Sequence, residues 1–312
     1  MPHLRQFLIS IAAVLAATGC LTTSAAARQA PDWKAVDAAI GRPGVPQAGD
    51  VYRFNFPRTD LRVTASGVEL RPSFALGGWI AMKAVSGGVM AMGDLVLTES
   101  EVAPVMTRLQ QGGISATAVH HHVLRESPRV MYMHVHAHGD AMQIGATIRA
   151  AVALTAIPAP AAAGAAAAGA PASAPASAAL GIDSAVIVRT LGHPGRVNGG
   201  VFQLNVPRVE VIREGGVEVP NAMGLGTVIN FQPTGGGRAA ITGDFVMVAS
   251  EVAAVTAELL RAGIEVTALH NHMLAEEPRL FFMHFWAVDD AGKLAAGLRA
   301  ALDKTNSRRG AP

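Results

Sequence analysis

A chain of 312 residues is longer than one ordinary core requires and suits two domains of common size. Its formal charge of +2, with no basic run beyond the Arg308-Arg309 pair, lacks the clustered basic face of a nucleic-acid binder. Cys20 is the one cysteine, so disulfides and thiolate metal sites are excluded from everything downstream of it.

The first segment reads as an export signal. Arg5 precedes an apolar run from Phe7 to Ala17, about the length of a signal-peptide core and too short for a spanning helix of roughly 20 residues. The run ends in Ala17-Thr18-Gly19-Cys20, a lipobox-like string, so residues 1–20 are expected to be a lipoprotein signal with Cys20 as the lipidated residue. Cleavage after Ala25-Ala26-Ala27 is the alternative and would leave a soluble secreted or periplasmic protein.

A first domain is expected over residues 21–155. Strands are expected at 51–56, 63–70, 79–85 and 90–97 from their β-branched and aromatic content. A helix follows at 99–111, where Val102, Val105, Met106 and Leu109 share one face. Thr98 and Glu101 form a capping box, and Gly112-Gly113 ends the helix. Strands at 114–123 and 130–138 form a hairpin, and a second helix carries Ile144, Ile148 and Val152 toward a core. Residues 156–180 are nearly all Ala, Pro, Gly and Ser, with Pro158, Pro160, Pro171 and Pro175, and read as a linker.

A second domain, 181–305, repeats the first at a shift of close to 150 residues, and 306–312 read as a loose tail. Phe54-Asn55-Phe56-Pro57-Arg58 answers to Leu204-Asn205-Val206-Pro207-Arg208, and Gly93-Asp94 to Gly243-Asp244. The longest match pairs Ala118-Val119-His120-His121-His122 with Ala268-Leu269-His270-Asn271-His272 and continues through Pro128-Arg129 and Pro278-Arg279. The order of elements predicts an α+β fold: two tandem strand-rich copies, each with helices on one face of a mixed sheet containing a right-handed parallel strand–helix–strand crossover.

Nine of the eleven histidines lie in the two hairpins. Alternation puts His120 and His122 on one face of their strand, and His134, His136 and His138 on one face of the next. His270, His272 and His284 repeat the plan, with Trp286 where the first copy has His136. The opposite faces are apolar and should meet the helices, leaving the histidine faces on the uncovered side of each sheet. A register setting His122 opposite His134 and His120 opposite His136 would let the rings share a metal ion through nitrogens about 2.0–2.1 Å from it. Zinc or copper suits such imidazole sets. A packed, metal-free network between the repeats is the other reading.

Remaining polar residues have weaker patterns. Asp244, like Asp94, could be a ligand or orient an imidazole, or could bond to turn amides; Glu251 or Asp244 could act as a general base beside a zinc-bound water. Arg58 and Arg208 could hold an anion or pair with Glu69 and Glu218. Glu126 and Glu276 read as surface partners of Arg129 and Arg279.

The string Thr267-Ala268-Leu269-His270-Asn271-His272-Met273-Leu274, with Glu277-Pro278-Arg279 and Met283-His284-Phe285-Trp286, resembles the bacterial lipoprotein family typified by LppY and LpqO. The likeness covers both repeats and implies an envelope location and lipidation of Cys20. The domain of that family has no assigned activity, so it supplies no catalytic residues. The first copy departs from the pattern at His121 and His136, where the second has Asn271 and Trp286.

Together these features lead to an envelope-anchored protein, tied to the membrane by its lipid, that binds a transition metal or a metal-held small ligand. The expected ligands are His120, His122, His134, His136, His270, His272 and His284. A three-histidine zinc hydrolase and a metal-free structural or interaction protein whose repeats pack through the histidine faces are the alternatives, and an unknown small ligand or an envelope protein is the expected partner.

Overall fold

The computed structural model describes residues 30–160 and 180–310; Cys20 and most of the linker lie outside them. In the first repeat, helix α1 (Trp33–Ile40) is followed by β1 (Val45–Gln47), β2 (Val51–Pro57) and a hairpin of two-residue strands, β3 (Thr64–Ala65) and β4 (Val68–Glu69). Next come α2 (Pro72–Ala75), β5 (Gly77–Val85), β6 (Gly88–Thr98), α3 (Glu99–Gln111), β7 (Ser115–His120), β8 (Glu126–Ser127), β9 (Val130–Gly139) and α4 (Ala141–Val152).

The second repeat follows the same order. It comprises α5 (Ser184–Leu191), β10 (Gly195–Asn198), β11 (Val201–Pro207), β12 (Arg213–Glu214), β13 (Val217–Glu218), a 3-10 turn (Asn221–Met223), β14 (Gly226–Gly235) and β15 (Arg238–Val248). It closes with α6 (Ala249–Arg261), β16 (Glu265–His270), β17 (Glu276–Glu277), β18 (Leu280–Asp290) and α7 (Ala291–Leu302).

Each repeat builds one six-stranded sheet, in the order β1-β2-β5-β6-β9-β7 and β10-β11-β14-β15-β18-β16. Every pairing is antiparallel, so the sheets are not mixed. The crossover through α3 does join two strands of like direction, β6 and β7. However, β9 lies between them and pairs with both. The segment expected as one strand at 63–70 is instead the β3–β4 hairpin, which leaves the main sheet and pairs with β8. Residues 306–308 are not loose: Val209 N–H bonds to Asn306 O and Arg308 N–H to Pro207 O.

Helices cover one face of each sheet. Val36, Ile40, Val105, Leu109, Ile144 and Ile148 meet Phe54, Ile80, Leu95 and Met133 in the first repeat, and Ile187, Val255, Leu259 and Leu298 meet Phe231, Phe245 and Phe285 in the second. The other faces pack against each other. Met90, Met92 and Ala81 of the first sheet share a core with Val246, Met273, Leu280 and Phe282 of the second; Val96, Val123, Val130 and Tyr132 share another with Val201, Ala240 and Trp286. Four layers result: helices, sheet, sheet, helices. The face expected to be uncovered is therefore a closed interface, which explains why β6 is buried on both sides along nearly its whole length.

Candidate metal centre

Register sets which side chains reach the middle layer. Asp94 on β6 lies across from His134 on β9, which lies across from Ala118 on β7; His120 is opposite Tyr132. The second repeat repeats this with Asp244, His284, Ala268 and the pair His270–Phe282. Register shifts after Ala116 and after Val266, each leaving one threonine, Thr117 or Thr267, as an extra bulge residue. This bulge sends Ala116 to the helix side and breaks the simple alternation; on its turn side the register pairs His120 with Tyr132, so His122 is not opposite His134, nor His120 opposite His136.

Convergence comes instead from the opposing sheet. His120 stacks on His270 with ring centroids 3.7 Å apart, His122 meets His284 at 3.8 Å, and His134 meets His272 at 3.8 Å. Each pair takes one ring from each repeat, around a pseudo-twofold axis. Behind the pairs, His122 stacks on Tyr132 at 3.3 Å and His272 on Phe282 at 3.4 Å, and both are held flat by these walls.

The bulge threonines clasp the two edge strands together. Thr117 Oγ1 donates to His272 O at 2.6 Å, and Thr267 Oγ1 to His122 O at 2.7 Å. His121 joins the clasp through Nε2 to Thr267 O at 3.1 Å; Asn271 Nδ2 matches it by donating to Thr117 O at 3.1 Å. The two non-identical residues therefore perform one task.

Electrostatics within the cluster are unusual. Burial, reinforced by neighbouring imidazoles, pushes His120 down to about 2 and drives His122, His134 and His284 well below the ordinary histidine range. Burial also lowers His270 to about 4 and His272 to about 3. All six rings are neutral at pH 7. The Nδ1 atoms of His120, His270 and His284 lie against carbonyls of His121, Asn271 and Gly243, at 3.3, 3.3 and 2.7 Å. A carbonyl only accepts, so Nδ1 carries the proton in these three and Nε2 presents a lone pair.

Those lone pairs have no donor. Nε2 of all six histidines, Nδ1 of His272 and Oδ1 of Asp94 and Asp244 are buried without a hydrogen-bond partner. Asp94 Oδ2 lies 3.5 Å from His122 Nε2 and Asp244 Oδ2 3.1 Å from His272 Nε2, without hydrogen-bond alignment. Burial pushes Asp244 up to about 7, and burial with repulsion from Asp244 holds Asp94 well above an ordinary carboxyl. At about 1–3 kcal/mol for each orphaned group, the set would cost on the order of 10 kcal/mol, comparable with the whole stability of a domain.

A cation bound by these atoms would remove that cost. Donor atoms of His120, His270 and His284, of His134, His270 and His272, and of Asp94, His120 and His122 lie within 4.8 Å of one another in each set. The buried histidine clusters could thus hold a metal. Nitrogen and carboxylate oxygen, with no sulfur, form a donor set compatible with zinc or copper.

Other expected site residues lie elsewhere. His136 is outside the central cluster and meets Glu214 of the second repeat. Glu251 accepts from Arg208 Nη1 and Nη2 at 2.7 and 3.0 Å, from Val248 N–H at 2.9 Å and from Asn306 N–H at 2.6 Å. Fully engaged in this way, it is an anchor of α6 and of the C-terminal segment, not a free base. Glu101 plays the same part for Arg58 and Thr98. Arg58 and Arg208 accordingly pair with these glutamates and with Asp60 and Glu210, while Glu69 and Glu218 lie by Arg62 and Arg213. Glu126 accepts from Val130 N–H inside the turn while Arg129 turns to Glu99; Glu276 accepts from Leu280 N–H and keeps the expected pairing with Arg279 at 3.2 Å, although its own side chain is buried. Asp94 and Asp244, for which turn amides were one reading, are at the centre of the interface.

No curated protein matches the chain. Among solved structures it is similar to a trimeric bacterial microcompartment shell protein, PduB, at 12% identity over 83% of this chain and 88% of that one, with a TM-score of 0.20. EtuB from Clostridium kluyveri is similar at 8% identity over 84% and 89%, with a TM-score of 0.21. Scores this low carry no argument. A family model does match, once per repeat, over residues 34–154 and 185–304. The chain therefore belongs to the family described as Domain of Unknown Function (DUF1259) and carries its domain twice.

Proposed function

We propose that the protein binds transition-metal ions between its two repeats, in two pseudo-equivalent donor sets. Asp94, His120 and His122 with His284 from the second repeat make one; Asp244, His270 and His272 with His134 from the first make the other. The observation that carries this reading is the convergence of six neutral imidazoles whose buried Nε2 atoms have no hydrogen-bond donor. The carbonyl bonds at Nδ1 support it further, because they orient a ring and leave Nε2 free to ligate.

Hydrolysis is the weaker reading. Of its two candidate bases, Glu251 is consumed by Arg208 and Asp244 belongs to the donor set itself, and a cluster enclosed by two sheets offers substrate no approach. The metal-free packed interface draws its support from the three close cross-repeat ring pairs, two stacked and one tilted. Metal analysis separates it from metal binding. Protein purified without an affinity tag should carry zinc or copper, and His134→Gln with His284→Gln should lose it while staying folded. Metal-free wild type that is as stable as metal-loaded protein would end the proposal.

An envelope location belongs to the same reading. The short apolar run before Ala17-Thr18-Gly19-Cys20 supports export and a lipid on Cys20, which would hold the metal-binding repeats at a membrane surface. A small ligand held by the metal, or an envelope protein, would then be the partner.

A further inference from the structure

The pseudo-twofold axis relates nearly every feature of the interface, but one location breaks it. His136 of β9 and Glu214 of β12 face each other across the two repeats, with Nδ1 3.0 Å from Oε2. His138 lies two residues further along the same strand face, its ring centroid 4.9 Å from that of His136. At the symmetry-related location every one of these residues is apolar. Trp286 replaces His136, Val288 replaces His138, and Ala65, which pairs with Val68 and Glu126 just as Glu214 pairs with Val217 and Glu276, replaces Glu214. Trp286 and Ala65 are both buried in one hydrocarbon core.

This comparison within one chain shows that the frame packs well without the polar trio. Burying an imidazole and a carboxylate there is costly, since His136 and Glu214 are 9% and 7% exposed. Their close approach is not an aligned hydrogen bond, because Glu214 Oε2 lacks a partner; His136 Nε2, on the other side of the ring, lacks one as well. Donor atoms of His136, His138 and Glu214 nevertheless lie within 4.8 Å of one another. Ligands on one ion, each about 2.0–2.2 Å from it, stand about 3–4 Å apart, so the separation of Nδ1 and Oε2 is already that of two ligands.

We infer that His136, His138 and Glu214 form a further metal site, separate from the two central donor sets, that takes a divalent transition cation such as Zn2+ from solvent. Two imidazoles come from the first repeat and one carboxylate from the second, so the bound ion bridges the repeats at one end of the interface. His138 is exposed, which leaves one side of the site open to water and to exchange. Three ligands and an open position form an accessible zinc-type arrangement, in contrast to the enclosed centre.

Calorimetric titration of the untagged, chelator-stripped protein with Zn2+ tests this. Wild type should bind one equivalent more than Glu214→Gln and one more than the double variant His136→Trp with Glu214→Ala. The double variant rebuilds the apolar pair that the other end already packs, so it should fold and melt like wild type. His138→Gln should weaken that same equivalent by about tenfold or more. Equal zinc uptake by wild type and the double variant overturns the site. Because His134→Gln and His284→Gln probe the central sets alone, failure of the central reading is scored separately: wild type would then bind only the equivalent that the double variant loses.

Discussion

Glu251→Gln separates an anchoring role from a catalytic one. The Arg208 guanidinium is buried, with its Nη1 shared between Val246 O and Glu251 and its Nε and Nη2 turned to Glu210. The amide keeps one acceptor oxygen but removes the charge and turns an N–H2 toward groups that only donate. Breaking a buried ion pair costs about 3–5 kcal/mol, and the surviving Glu210 contact reduces this to about 2–4 kcal/mol. With a urea dependence of about 1–3 kcal/mol per molar, the unfolding midpoint should fall by about 1–2 M. Bound metal, measured by mass spectrometry on folded protein, should be unchanged. An unshifted midpoint with metal or hydrolytic activity lost would refute the reasoning, since it would place Glu251 at the metal.

The remaining predictions concern the interface. Thr117→Val and Thr267→Val each remove a hydroxyl that holds a histidine carbonyl; each should cost about 1 kcal/mol in denaturation and about tenfold in metal affinity, whereas Thr107→Val on the exposed side of α3 should leave affinity unchanged. Gly243→Ala would set a Cβ 1.9 Å from Val228 O and displace the carbonyl that accepts from His284; a loss of at least about 1–3 kcal/mol, with weaker metal binding, should appear in chelator-controlled melts. Metal-free protein should lose stability as pH falls below about 6.5, because the unfolded chain then protonates six histidines that burial holds neutral in the fold, His120, His270 and His272 down to about 2–4 and His122, His134 and His284 well below the ordinary range. Asp94 and Asp244, both raised by burial, act oppositely, binding protons first in the fold and returning stability as pH falls, from about 7 in the case of Asp244, but two carboxylates do not offset six imidazoles. Urea midpoints that are flat or rise from pH 7.5 to pH 5 would contradict this.

Much of the architecture was legible because it depends on local periodicity. The duplication, the α3 capping box of Thr98 with Glu101, and the shared face of His134 and His136 all follow from spacing alone. Three kinds of feature did not. Short α1 has only Val36 and Ile40 to mark its buried side, too few for a periodic signal. The bulges at Thr117 and Thr267 change register by one residue, and nothing in alternating composition distinguishes a bulge from a continuous strand. The third is tertiary: a sequence shows which face carries histidine but not what covers it, so Asp94 and Asp244 were candidates with a turn-amide reading beside them, and the cross-repeat ring pairs emerge only once the sheets meet. Glu214 was invisible for the same reason. Its lack of a counterpart, where the first copy has Ala65, was the available signal, together with Trp286 and Val288 in place of His136 and His138.

Diffraction from crystals of untagged protein, collected on both sides of the zinc and copper absorption edges, addresses the central claim most directly. The account predicts anomalous peaks in the middle layer, within about 2.0–2.2 Å of Nε2 atoms contributed by both repeats, with Asp94 and Asp244 oxygens at similar range. Maps with no anomalous density there in metal-supplemented crystals, and water molecules donating hydrogen bonds to the same Nε2 atoms, would contradict it.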